Sequence, residues 1–411
     1  SKANRSSYLV NYRYSTLGLL SAVGVDFGTG TAIPRYQDVN LNVNFPTRKY
    51  GNIKAFALVG ISGIDFLDSE NDEGQDGGFY SDNEDLRNRV GTNVVGVSHQ
   101  YFLNQSTYTK VTFAISRMQN RVMIDTISID GSNITPQYRQ NFQRTSQQAH
   151  AFLNHKLNAN HVFRVGAFAT RRQYNLQDSI FSYRYNQFVS LRDLIGSNML
   201  YQPYANWQFR INNQWEMNTG LHMMIRPDHL QYSLEPRWGM RYKISPEQTM
   251  NVGYGLHSQL PNELLQYRQV TLPDGQEVQP NLELLSTKSH HFVFGFQQIL
   301  PKGWNFKAES YYQYIYHASV AVEPNSYSAL NSGSFDFVLP DSAQSTGRGY
   351  NYGLDFTMEK FMDRGFYLLS TLSLFESKYQ GSDQIWRNTA FNGNFVWNVV
   401  SGKEFLVSKT E

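Results

Sequence analysis

The feature that most constrains this chain is an alternation of apolar and polar residues with a period of two. In residues 204–211 every second position is apolar, namely Ala205, Trp207, Phe209 and Ile211. Successive side chains of a β-strand point to opposite faces, so the pattern predicts a strand with one apolar and one polar face. The same alternation returns in later segments, at residues 214–223, 237–244, 250–257, 304–314 and 350–359.

The length of the alternating segments and the spacing between them narrow the fold further. Strands of a soluble sandwich run to roughly 5 to 6 residues, and several segments here are longer. Short turns are predicted near residues 46–51, 104–107, 158–161, 212–213, 245–248, 301–303, 362–365 and 401–403. Long connections are predicted at residues 67–86, 121–139, 177–198, 261–285, 319–344 and 381–390, with 226–229 as a short exception. Short turns at one end and long loops at the other are typical of outer-membrane barrels.

The fold class predicted for residues 1–411 is therefore all-β, a transmembrane, up-and-down, antiparallel β-barrel of about 16 strands. We expect a single partial barrel domain, because no linker or change of composition divides the chain. The apolar face would contact lipid and the polar face would line the lumen. The expected location is the bacterial outer membrane.

Composition and motifs exclude several other functions. A net charge of +2 over 411 residues gives no basic stripe, so no nucleic-acid partner is expected. The chain has no cysteine, and it lacks a Gly-x-Ser-x-Gly elbow, a His-Glu-x-x-His helix and a complete phosphate loop. We therefore predict no enzymatic activity, no catalytic residues and no cofactor. Residues 16–24 have mixed helical character and are expected to form a short helix within a loop.

Two segments suggest a metal site but fail on geometry. The acidic run at residues 68–76 departs from EF-hand spacing, with Gly74 seventh instead of sixth and Phe79 in the twelfth position. His290 and His291 are adjacent, and adjacent residues of a strand point to opposite faces. No metal site is predicted.

Seven strings of sequence, spread over nearly the whole chain, resemble one known family. They are SYLVNYRYSTL at 7–17, PRYQDV at 34–39, VSHQYF at 97–102, SLEPR at 233–237, YGLHSQ at 254–259, GRGYNYGLD at 347–355 and FNGN at 391–394. Their order and the strands on which they fall resemble the barrel of TonB-dependent outer-membrane receptors of the Bacteroidetes type, the carboxypeptidase-regulatory-like or SusC-like group.

The resemblance implies a barrel of about 22 strands with a plug in its lumen, a TonB box, and energised uptake of a nutrient too large for porins, such as a glycan, a peptide or a metal chelate. The implied partners are outer-membrane lipid, the TonB complex acting through a plug that this sequence does not contain, and a surface lipoprotein. The expectation is that the 411 residues are an internal fragment of a longer receptor. The alternative is a structural or accessory subunit of an outer-membrane assembly or secretion complex.

If the short turns are periplasmic, every strand acquires a direction, and a set of polar residues comes to lie near the outer mouth. These candidate ligand-binding residues are Arg172, His222, Glu235, Arg237, His257, His291 and Asn351. Cationic and neutral donors beside a carboxylate suit a polar ligand. The competing interpretation is an ordinary polar barrel wall that bonds to water or to a plug.

The sidedness of the strands can be tested by placing one charge on each face. The alternation directs Val252 to lipid and Asn251 to the lumen, so Val252→Arg should lower the free energy of unfolding by roughly 2 to 4 kcal/mol if Val252 lies near the bilayer midplane. Asn251→Arg is the matched control and should cost far less. Urea unfolding of the folded protein in lipid vesicles measures both. Equal costs for the two variants would contradict the assignment.

Overall fold

The computed structural model describes residues 6–16, 33–47, 49–70, 83–128, 133–332 and 339–405. Most of the helix expected at residues 16–24 and the second half of the acidic run at 68–76 lie outside these ranges. The first part of that run, Asp68–Glu70, forms a single 3-10 turn. No helix in the described ranges is long and apolar enough to cross a membrane.

Strands account for most of the described chain. They are β1 Ser7–Tyr14, β2 Arg35–Thr47, β3 Gly51–Leu67, β4 Glu84–Phe102, β5 Thr107–Ile127, β6 Ile134–Lys156, β7 His161–Ser182, β8 Gln187–Arg210, β9 Trp215–Arg226, β10 Gln231–Lys243, β11 Gln248–Gln259, β12 Val270–Thr271, β13 Glu277–Val278, β14 Thr287–Leu300, β15 Trp304–Ala321, β16 Ala343–Asp363, β17 Phe366–Gln380, β18 Trp386–Asn388 and β19 Phe395–Lys403. Among them, 17 belong to a large antiparallel sheet, and β12 and β13 form a separate pair. The predicted all-β, antiparallel class is confirmed.

The chain divides into two compact units, and β1 to β5 lie in the first. Each of these strands pairs antiparallel with the next one along the chain. One face of this part of the sheet is apolar and exposed, and register brings its residues together in cross-strand rows. Val95 faces Ile115 and Val97 faces Phe113, and all four side chains are exposed.

The opposite face of the same strands changes character along their length. It carries Ser116 and Asn120 in the middle of β5, but Val122 and Ile124 further on are buried. These two pack with Tyr138 of β6, and Leu86 and Leu191 pack against the cluster. At the end remote from the short turns this face is therefore apolar, over residues that the sequence assigns to a long connection.

A buried ion pair lies in the same unit. Arg192 of β8 donates from Nε to Asp178 Oδ1 at 3.0 Å and from Nη2 to Asp178 Oδ2 at 2.6 Å. The Tyr138 hydroxyl donates to Asp178 Oδ2 at 2.8 Å. The Asp178 side chain is 0% exposed and that of Arg192 is 5% exposed, so the carboxylate and guanidinium depend on each other for compensation.

In the second unit the strands β10, β11, β14, β15, β16 and β17 also pair antiparallel in sequence order, and β17 pairs with β18 and β19. Register aligns Tyr254 with Phe292, Phe292 with Tyr312, and Tyr312 with Tyr352. Phe292, Tyr312 and Tyr352 are all exposed. This face is apolar, as the alternation predicts.

The predicted connections are partly right and partly wrong. The predicted long connections at 121–139 and 177–198 are wrong, because β5 and β6 are joined by residues 128–133 and β7 and β8 by residues 183–186. These strands continue as paired hairpins. Polar pairs such as Asp125–Arg139 and Asp178–Arg192 give the sequence the appearance of a loop. The turn predicted at 401–403 is also wrong, since these residues complete β19. The other short turns fall between strands.

The long connection after β11 is confirmed, and it contains structure of its own. It holds α1 Glu263–Gln266 and the β12–β13 pair. Asn281 is 1% exposed and ties this connection to the end of the one before β16. Its Nδ2 donates to the Leu265 carbonyl at 3.0 Å and to the Asp341 carbonyl at 3.2 Å. Its Oδ1 accepts from the amide of Ala343, the first residue of β16, at 2.7 Å. Both long connections are thereby held against each other.

The Asp178–Arg192 pair allows a stability test of the first unit. Asp178→Asn leaves a buried guanidinium without a counter-ion, and we expect it to lower the free energy of unfolding by about 3 to 5 kcal/mol. Asp193→Asn, one position from Arg192 on an exposed part of β8, is the control and should change it by less than about 0.5 kcal/mol. Chemical denaturation measures both, and a similar small effect at the two sites would show that the pair is not buried.

Candidate functional site

Glu235 of β10 is the buried centre of a polar cluster in the second unit. Its side chain is 2% exposed, and its Oε2 lies 2.9 Å from His222 Nδ1 and accepts from Arg237 Nη2 at 2.8 Å. An ionised carboxylate only accepts hydrogen bonds, so His222 carries its proton on Nδ1. The carboxylate thereby fixes the positions of one imidazole and one guanidinium.

The two partners of Glu235 differ in exposure. The Arg237 side chain is 44% exposed and that of His222 is 17% exposed. Arg237 follows Glu235 by two residues on the same strand, so both side chains lie on the same face. A buried anion beneath an exposed cation orients the guanidinium and leaves some of its N–H donors available on the open side.

Register then extends this cluster across the sheet as a polar row. Arg237 pairs with Gly255, Gly255 with His291, His291 with Gln313, and Gln313 with Asn351. Directly paired residues share a face, so five neighbouring strands present this row on the side opposite Tyr254 and Phe292.

Gly255 makes room in the polar row for a histidine from the next row. A Cβ atom at Gly255 would lie 2.6 Å from His257 Nε2, so the imidazole lies over the bare backbone of the glycine. There it faces His291, with the ring centroids 4.6 Å apart. Arg237, Glu235 and His222 are also within electrostatic reach of His257.

A side-chain amide continues the cluster beyond His291. Gln313 Nε2 lies 3.4 Å from His291 Nδ1, and Asn351 Nδ2 donates to Gln313 Oε1 at 2.9 Å. Hydrogen bonds that run from one side chain to the next restrict all of the side chains involved. The row is therefore a connected set of polar groups.

Six of the seven predicted site residues thus lie in this one cluster: His222, Glu235, Arg237, His257, His291 and Asn351. Arg172 belongs to the first unit, where its Nε donates to Asn198 Oδ1 at 3.3 Å, and its place in the site stays a prediction. Sequence reasoning missed Gly255 and Gln313. Both lie on the polar face of their strands, and only the cross-strand register places them in the row.

Chemically, the cluster offers hydrogen-bond donors around one buried carboxylate. Glu235 Oε1 has no hydrogen-bond partner within 3.5 Å, although the Ser258 hydroxyl lies beside the carboxylate and bonds to Ser233 Oγ at 2.7 Å. The guanidinium and imidazole N–H groups suit an oxygen-rich or anionic ligand group. In the described part of the chain, no three His, Cys, Asp or Glu side chains are arranged to hold a metal ion.

Comparison with known proteins finds similarity at the level of structure alone. No protein-family model matches the sequence, and no curated protein matches it. Among solved structures, the ferric-catecholate import receptor Fiu from E. coli K12 is 10% identical, with a TM-score of 0.68, over 97% of this chain and 66% of that one. The siderophore receptor PirA from Acinetobacter baumannii is 10% identical, with a TM-score of 0.68, over 97% of this chain and 61% of that one.

A third solved structure, the RagAB peptide transporter, is 9% identical, with a TM-score of 0.59, over 88% of this chain and 48% of that one. The chain thus spans about half to two thirds of the length of these proteins. At such identities the likeness concerns the fold. The chain therefore has the strand architecture of outer-membrane receptors.

The role of Glu235 in orienting the cluster can be tested through stability. Glu235→Gln removes the charge that both Arg237 and His222 bond to, and we expect the free energy of unfolding to fall by about 1 to 3 kcal/mol. Glu247→Gln is the control, because Glu247 is exposed and its side chain accepts a hydrogen bond from nearby Ser245. Urea unfolding measures both variants. If they are equally stable, the buried carboxylate does not support the cluster.

Proposed function

We propose that this chain is the barrel part of a TonB-dependent outer-membrane receptor that takes up a nutrient too large for porins. The observation that carries the proposal is the polar row, in which a buried Glu235 orients exposed donors on one face of a sheet whose other face is apolar and exposed. A barrel wall in contact with lipid outside and with a ligand inside needs this division of faces.

The ligand class follows from the chemistry of the row. Arg237 and the imidazoles of His257 and His291 present N–H donors, while Gln313 and Asn351 add amides that both donate and accept. This set suits a polar ligand with several oxygen acceptors, which describes a glycan, a peptide or a metal chelate. The similar structures are those of a ferric-catecholate import receptor, a siderophore receptor and a peptide transporter, which supports a metal chelate or a peptide within this range.

The energy source and the partners belong to the same proposal. Uptake against a gradient would be driven by the TonB complex through a plug domain, and the barrel would be closed around that plug. The seven sequence strings that resemble TonB-dependent receptors favour the Bacteroidetes, SusC-like group, in which a surface lipoprotein would cover the outer mouth. The similarity to the RagAB peptide transporter supports that assignment. No catalytic step is part of the proposal.

A binding titration on the full-length receptor tests the proposal. Arg237→Ala and His257→Ala should each weaken binding of a recognised ligand by about 1.5 to 3 kcal/mol, the value of a lost charge-assisted hydrogen bond, with normal assembly of the barrel. The probes are a ferric catecholate complex, a peptide mixture and an oligosaccharide.

Arg241→Ala is the matched control, because Arg241 has the same charge on the same face of β10 and lies four positions closer to the short turn. Its binding should equal that of the unmodified protein. Unchanged affinity in both site variants, with normal folding, would favour an accessory subunit of an outer-membrane complex.

A further inference from the structure

Three exposed arginines form a second row in the first unit, on its apolar face. Arg35 of β2 pairs with Gly63, Gly63 pairs with Arg89 of β4, and Arg89 pairs with Arg121 of β5. Their side chains therefore share one face of the sheet, and all three residues are exposed. We call Arg35, Arg89 and Arg121 the arginine row.

The backbone beneath the arginine row is shaped into a cavity of about 450 Å³. Two glycines form part of its lining: a Cβ at Gly91 would meet nothing within 4 Å, and one at Gly63 would lie 2.7 Å from Arg89 Cδ. Arg89 therefore crosses the space that a side chain at Gly63 would fill. The lining also includes Ile61, Tyr14 and the three arginines.

In the part of the chain that the structure describes, the charge that lines this cavity is not balanced. Arg89 bonds through two nitrogens to Asp65, at 2.5 and 2.8 Å. Arg121 lies 3.0 Å from the neutral carboxamide of Gln119, and no hydrogen bond or ion pair of the Arg35 side chain is found within the described residues. The lining thus holds three guanidiniums against one carboxylate. Arg89 and Arg121 are direct cross-strand partners, and like charges in that position are destabilising without an external anion.

The position of the row along the strands identifies the source of the anion. On the same face, toward the short turns, lie rows of exposed apolar side chains that include Val59, Val95 and Ile115. Gly63 follows Gly51, where β3 leaves its short turn, by 12 residues, which at ~3.3 Å per residue is ~40 Å along the strand. A strand tilt of ~45° reduces this to a rise of ~28 Å, close to the ~30 Å thickness of a hydrocarbon core.

We propose that the arginine row binds the phosphate of a lipid headgroup in the outer leaflet, with the acyl chains of that lipid lying along the apolar rows below. Guanidinium groups bond phosphate oxygens in pairs, and the open space at Gly91 lets the headgroup approach the backbone. This inference rests on the outer-membrane location of the proposed function, but it concerns the outer surface of the wall and is independent of the ligand row.

The test measures lipid bound to the purified full-length protein in vesicles of phosphatidylcholine that contain diphosphorylated lipid A. We expect the Arg35→Ala, Arg121→Ala double variant to bind this lipid at least about tenfold more weakly, as expected for the loss of charge-assisted contacts. Asp65→Asn removes the single carboxylate of the cavity and should strengthen binding. Lys110→Ala is the control, because Lys110 lies on the opposite face of β5 and should leave binding unchanged.

Two results would overturn the proposal. One is lipid A binding by the double variant at the level of the unmodified protein, which would make the row an ordinary solvated surface. The other is displacement of bound lipid A by inorganic phosphate at the same phosphate concentration. That result would show that a free anion binds as well as the lipid headgroup. Failure of the lipid test would leave the titration of Arg237→Ala unaffected, so the two proposals can fail separately.

Discussion

Cross-strand register is the constraint on which the rest of this structure depends. Antiparallel hydrogen bonding fixes which residues are opposite each other, and the period of two then assigns each transverse row to one face. The row from Arg237 to Asn351 and the row from Tyr254 to Tyr352 are one residue apart along their strands. A slip of one residue would exchange them and place an arginine and a histidine on the apolar face. Both the exposed apolar face and the polar cluster are therefore consequences of one pairing pattern.

Within that pattern, glycine determines where a row becomes a cavity. Gly255 occupies a place in the polar row, and because it has no side chain, the His257 imidazole can lie over it beside His291. In the first unit, the Arg89 side chain lies over Gly63 in a similar way. The space above Gly91 is open. Removing a side chain from a strand is costly for local stability. At Gly255 and Gly63 the cost is explained by the side chains of His257 and Arg89, which occupy the space above the glycine.

The sequence predicts well on which face of its strand a residue lies, and it predicts poorly which residues pair across neighbouring strands. Alternation alone assigns Glu235, Arg237, His257 and His291 to the polar face, and the direction of the strands brings them to a similar height. It does not reveal that Gln313 bonds to His291, because that contact depends on a pairing between strands that no local pattern encodes. The sequence pattern does not predict the β5–β6 and β7–β8 hairpins, for another reason. Buried charges such as Asp178 and Arg192 interrupt the apolar pattern on the packed face, and an interrupted pattern is typical of a loop.

The two arginine-containing clusters show how a counter-ion decides what a guanidinium can do. Arg237 has a buried carboxylate beneath it, so its charge is compensated within the protein and its orientation is fixed before any ligand arrives. Binding there costs little ordering of the side chain, which favours discrimination between ligands by geometry. No carboxylate pairs with Arg35 or Arg121 within the described ranges, so an external anion would supply both charge compensation and order to their side chains. The first arrangement suits a site that selects one ligand among many, and the second suits permanent contact with an abundant anionic surface.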